Sequence, residues 1–103
     1  ARRILGGFAV GLIDQGGALL ERKSYDAAAR SLSIAADMQP QWPSTWFELA
    51  RAHALGGNAK QAIQALEKAV DAGLRDAAQI EAEPAFEKLR GTAQFAAIVE
   101  RAK

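Results

Sequence analysis

The 103-residue sequence predicts an all-α fold of antiparallel helical hairpins stacked one after another. Residues that favour helices dominate the composition, and the alternation of β-branched residues that marks strands is almost absent. The only prolines stand at positions 40, 43 and 84, where they flank or begin helical segments. A pattern of small and large residues also recurs after 34 positions, as stacked copies of one unit would show.

The first hairpin is predicted over residues 9–42, after an extension (1–8) that is either separate or the end of a longer helix. Its first helix is the stretch FAVGLIDQGGALLERK, in which each interior glycine costs about 1 kcal/mol relative to alanine. These glycines are therefore expected to serve packing or to mark irregular backbone. Ser24 is the predicted N-cap of the second helix, which runs to about Asp37.

The second hairpin is predicted over residues 43–76. Pro43 is well placed as the first residue of the helix PSTWFELARAHAL, which the sequence GGN at 56–58 ends. Asn58 then caps a helix that runs to about Ala72, and Gly73 stops it.

The last segment, residues 77–103, departs from the repeat because Pro84 lies where a third copy would need an uninterrupted helix. Three short helices are predicted here, capped by Asp76, begun by Pro84 and capped by Thr92. We expect them to cover the apolar face of the second hairpin. The side chains expected to do so are Phe86, Leu89, Phe95, Ile98 and Val99.

Alanine recurs where an amphipathic helix usually carries bulky residues, as at Ala28 and Ala62. Antiparallel helices approach closely only where both carry small side chains, and close approach gains dispersion contacts. Gly16 or Ala50 of each first helix is therefore expected to face these alanines. The larger residues Leu12, Leu32, Trp46 and Leu66 are expected to fill the wider spaces between hairpins.

Over residues 9–76 the sequence resembles the tetratricopeptide repeat family. The matching residues are Leu12, Gly16, Ala28, Leu32, Ala35 and Pro40 in the first unit, and Trp46, Leu49, Ala50, Gly57, Ala62, Leu66 and Ala69 in the second. The resemblance implies a short right-handed solenoid that binds a protein or peptide, as part of a larger bacterial protein or complex. It implies no catalysis.

In that family, ligands lie on the concave surface made by the first helix of each hairpin. The resemblance places the partner-binding residues at Ile13, Leu20, Glu21, Ser44, Phe47, Arg51 and Leu55. Trp42, in the loop between the hairpins, either covers a gap or offers a further contact to the partner. Ile13 and Gly17 stand where chaperone-binding members carry a Lys and an Asn that hold a terminal carboxylate. We therefore expect an amphipathic helix or an extended apolar peptide in preference to an acidic tail. Alternatively, these apolar residues pack against upstream repeats or another copy.

Composition argues against several other functions. A net charge of +1 gives no strong attraction for nucleic acid, and the absence of cysteine removes disulfides and thiolate chemistry. His53 is the only histidine and has no nucleophile or metal-ligand pattern beside it, so a packing role is favoured over catalysis. We expect no cofactor, no metal and no small-molecule substrate.

Two rival classes remain open: a small enzyme, and an exported or membrane-tethered protein, which the start of the chain suggests. The sequence RRILGGFAVGLI, residues 2–13, resembles the first half of a secretory signal, which fits an exported or membrane-tethered protein. In that alternative the chain is a self-associating scaffold without a peptide ligand, and its N-terminal helix forms a homo-oligomer. The sequence leaves both a cytoplasmic and a periplasmic location open.

Overall fold

The computed structural model describes the backbone of residues 2–103 and the side chains from residue 8 onward. Within these residues the chain is all-helical, contains no strand, and packs its helices in consecutive pairs, which confirms the predicted all-α fold. The α-helices are α1 (Arg2–Glu21), α2 (Tyr25–Met38), α3 (Pro43–Leu55), α4 (Ala59–Asp71), α5 (Ala77–Ala82) and α6 (Ala93–Ala102), with a 3₁₀ helix at Pro84–Leu89.

Helices α1 and α2 form one hairpin, α3 and α4 form the next, and α2 packs against α3 to join them. The alanines that the sequence placed between helices, Ala28, Ala50 and Ala62, are fully buried. Small side chains on both sides let the helix axes approach, and the same core runs through both hairpins.

Helix α1 runs without interruption from Arg2 through residue 8, as in the alternative that residues 1–8 belong to a longer helix, and Ala1 lies outside the described residues. Gly16 faces Leu32, whose Cγ would lie 2.6 Å from an added β-carbon. Leu32 therefore packs within the first hairpin, against a glycine of α1.

The two hairpin turns repeat the same backbone geometry. The N–H of Ser24 donates to the carbonyl of Leu19 at 2.9 Å, and the N–H of Asn58 donates to that of His53 at 2.8 Å. The residues just before, Lys23 and Gly57, both have positive φ, as this way of ending a helix requires. Ser24 and Asn58 occupy the predicted cap positions, but their side chains accept no capping hydrogen bond.

Trp46 is packed, as predicted for its position in the repeat. Its indole Nε1 donates to the carbonyl of Pro40 at 2.9 Å, and Lys68 Nζ lies 5.5 Å from the ring centroid. The tryptophan therefore fixes the turn before α3 against α4.

The C-terminal segment folds onto the second hairpin. The 3₁₀ helix packs against α3 and α4, and α6 packs against α4 and α5. Asp76 and Thr92 cap α5 and α6 through side-chain oxygens, as predicted, whereas the segment that Pro84 begins is a 3₁₀ helix. All five apolar side chains expected to cover the second hairpin are buried: Phe86, Leu89, Phe95, Ile98 and Val99.

Candidate functional site

Helices α1 and α3, the first helices of the two hairpins, form an open depression of about 350 Å³, which we call the α1–α3 groove. Its lining residues are Gly17, Leu20, Glu21, Glu48, Arg51 and Leu55. The helical period explains the grouping, because residues three, four or seven positions apart lie on one face of a helix. The groove thus has an apolar floor with charged residues along it.

Gly17 keeps the floor of the groove open. A β-carbon at this position would meet no heavy atom within 4 Å, so the space above the backbone is empty. On the facing helix, Leu55 is 40% exposed, so its side chain adds apolar surface to the groove. These two residues leave open space and apolar surface in the groove.

Arg51 carries the only positive charge among the groove residues. Its Nη1 donates to Glu48 Oε2 at 2.6 Å, and its Nε lies 3.0 Å from Glu83 Oε1, in an ion pair without hydrogen-bond alignment. Glu83 also accepts a hydrogen bond from the backbone N–H of Ala85 at the start of the 3₁₀ helix. Two carboxylates therefore compensate one guanidinium and hold it against the C-terminal segment.

Four of the eight sequence-predicted residues line this groove: Leu20, Glu21, Arg51 and Leu55. The other four do not line it. Ile13 and Trp42 are partly buried, and Ser44 is exposed on α3.

Phe47 requires a correction. Only 5% of the residue is exposed, and its ring packs edge-on against Phe86, with centroids 5.5 Å apart and planes at 85°. The C-terminal segment covers the face of α3 on which the repeat pattern placed this residue. Phe47 is therefore part of the core and does not present itself to a partner.

Two acidic residues of the site were missed by sequence reasoning. Glu48 lies three positions before Arg51, and that helical spacing is a readable signal for an ion pair. Glu83 lies in the C-terminal segment, and its pairing with Arg51 depends on how the 3₁₀ helix docks. No local pattern reports that contact.

His53 lies on the α2 side of the second hairpin. Its Nδ1 is buried and finds no hydrogen-bond partner, and burial lowers the pKa of the imidazole while the nearby carboxylate of Asp26 partly opposes that shift. The neutral form is favoured in the folded protein.

Within the described part of the chain, no group of three acidic or histidine side chains is arranged to hold a metal ion. None of the helices described there combines the length and the apolar character that crossing a bilayer requires. The sequence matches no protein-family model and no curated protein.

Proposed function

We propose that this protein is an interaction module that binds a segment of a partner protein in the α1–α3 groove. The observation that carries the proposal is the exposure of Leu55 beside the open floor at Gly17, both on the first helices of their hairpins. The resemblance to tetratricopeptide repeats supports the same surface. In this proposal the protein performs no chemistry, and its rigid hairpins position the groove.

The packing of α3 and of the hairpin interiors supports this choice of surface. The face of α3 that carries Phe47 is covered by the 3₁₀ helix, and the alanine-lined faces of the hairpins are buried against each other. The groove is the place where the first helices of both hairpins leave apolar surface open to a ligand.

A photo-crosslinking amino acid placed at position 55, and in a separate variant at position 34, tests the proposal. Ile34 is the matched control because it is also a large apolar residue, 52% exposed, but lies on α2. In an extract of the source cells we expect a crosslinked partner from position 55 and none from position 34. A partner captured only from position 34 would contradict the groove.

A second candidate function is self-association through the outer face of α1, which a comparison of the two hairpins supports. Gly11 and Ala18 of α1 correspond, 34 positions earlier, to Thr45 and Ala52 of α3. The α3 residues are 1% exposed in a helix that packs on α2, whereas the α1 residues are exposed. Phe8 adds a large apolar side chain beside them, 64% exposed.

Sedimentation of the protein and of a Phe8→Asp variant tests this second function. Self-association through α1 predicts a dimer or larger species that the variant converts to monomer, because a buried unpaired carboxylate is unfavourable. A wild-type protein that stays monomeric at high concentration would contradict it and leave the groove as the interaction surface.

A further inference from the structure

The charges around the α1–α3 groove indicate which class of partner fits it, and this inference rests on the proposed function. Glu21 and Glu48 line the groove, and Glu83 lies against Arg51 from the C-terminal segment. Three carboxylates thus accompany a single guanidinium. The groove carries an excess of negative charge, although the chain as a whole has a net charge of +1.

The charge of Arg51 is already compensated by two carboxylates. Its Nη1 and Nε each face a carboxylate, at 2.6 Å from Glu48 and 3.0 Å from Glu83. An incoming carboxylate that approached Arg51 would lie among the like charges of Glu48 and Glu83, which costs free energy. A cationic group meets the opposite situation at Glu21, whose side chain is exposed and makes no ion pair among the described contacts.

The excess of negative charge is confined to one side of Leu55. This residue also borders a second depression, which Lys23, Asp26 and Arg30 line on the far side. There two cations accompany one carboxylate, so a basic ligand gains nothing by extending in that direction. A basic ligand therefore meets favourable charge only in the part of the groove between Leu55, Glu21 and Glu48.

We propose that the α1–α3 groove binds a basic, apolar-anchored peptide segment of a partner protein. An apolar side chain of the segment packs over Leu20 and Leu55, in the space left open at Gly17. Lys or Arg side chains next to that anchor pair with Glu21 and Glu48. Charge complementarity selects the partner, and the apolar contact supplies most of the affinity.

The test uses the full-length chain and three synthetic amphipathic peptides of about 14 residues, long enough for about four helical turns. The peptides share one leucine pattern and carry Lys, Gln or Glu at every polar position. Binding is followed through the backbone amide resonances of Gly17 and Leu55 in the labelled protein. We expect the Leu/Lys peptide to shift both resonances, with the Leu/Gln peptide weaker and the Leu/Glu peptide without effect.

Two variants separate local charge from general attraction. The double variant Glu21→Gln, Glu48→Gln should weaken binding of the Leu/Lys peptide about 10-fold, because it removes the two carboxylates that pair with the lysines. As the control, Glu67→Gln removes one carboxylate from an exposed position of α4, outside the groove. It should change the dissociation constant less than about 2-fold.

Each other outcome overturns the inference in a way that identifies the failure. If the Leu/Gln or Leu/Glu peptide binds the groove as tightly as the Leu/Lys peptide, the groove is an interaction site but the basic partner is wrong. If Glu67→Gln weakens binding as much as the double variant, the attraction is non-specific. If no peptide shifts Gly17 or Leu55, the inference fails, and crosslinking at position 55 decides the proposed function separately.

Discussion

A β-carbon placed on Gly16 would lie 2.6 Å from Cγ of Leu32, a separation at which one of the two side chains must move. Helix α1 therefore carries glycine here because α2 brings a branched leucine against its backbone. The resulting close approach of α1 and α2 buries Leu32 completely. This contact sets the spacing of the first hairpin, and with it the position of Gly17, Leu20 and Glu21 in the groove.

Gly16→Ala should destabilise the protein by about 1–2 kcal/mol, because overpacking against Leu32 exceeds the gain of about 1 kcal/mol in helix propensity. Gly11→Ala is the matched control in the same helix, where an added β-carbon meets nothing within 4 Å. It should stabilise by up to about 1 kcal/mol. Urea unfolding measures both changes, and equal stabilisation by the two variants would refute the close contact.

The ion pair between Arg51 and Glu83 should couple the second hairpin to the C-terminal segment. A double-mutant cycle with Arg51→Met and Glu83→Gln should give a coupling free energy of about 1 kcal/mol in urea unfolding, because both side chains are largely buried. The pair Arg101 and Asp71 is the control, since both of its side chains are about half exposed or more. Its coupling should stay below about 0.5 kcal/mol, and the opposite ranking would count against a structural role for Glu83.

Phe86 should contribute to stability through its place between Phe47 and Phe95. Its side chain is fully buried and its ring contacts both aromatic neighbours. Phe86→Leu should lower the free energy of unfolding by about 1–2 kcal/mol, through lost aromatic contact and a small cavity. Phe8→Leu, on an exposed side chain, should change it by less than about 0.5 kcal/mol. Similar effects of the two substitutions would show that the C-terminal segment does not cover α3.

His53 should make the stability depend on pH in the weakly acidic range. Burial lowers the pKa of the folded imidazole, so the unfolded chain binds a proton first, near the ordinary value of 6.5. The contribution of His53 to the free energy of unfolding is complete above that pH. It is lost as the pH falls toward the lower pKa of the folded state. Urea unfolding from about pH 8 to about pH 5 should show a smaller decline for His53→Gln than for the wild type. Parallel curves for the two proteins would mean that the imidazole is not desolvated.

Sequence reasoning recovered the elements that depend on local chemistry. Asp76 and Thr92 cap the helices that follow them, and Pro43 begins α3, because caps and proline act within one turn of the chain. At Ser24 and Asn58 the position was right but the capping hydrogen bond is absent, since the side-chain rotamer is not fixed by the sequence pattern. The alternation of small and large residues also located the interior of both hairpins, because this pattern repeats within one or two turns of a helix.

The sequence predicted only part of the groove, because the edges of the groove depend on how the C-terminal segment docks on α3. The repeat pattern placed Phe47 on an open face, but the 3₁₀ helix brings Phe86 onto it. The same docking brings Glu83 to Arg51 across 32 positions of sequence, and this changes the charge that a ligand meets. Helical periodicity assigns a residue to a face of its own helix, but it does not report which segment of the chain later covers that face.

Backbone hydrogen exchange of the protein, alone and bound to the partner captured from position 55, tests the central claim most directly. A partner seated in the α1–α3 groove should slow exchange in residues 17–21 and 48–55, the stretches that line it. Residues 59–71 of α4, which do not line the groove, should exchange as before. If the exchange rates of both groove stretches stay unchanged when the partner binds, the claim that this groove is the binding surface is contradicted.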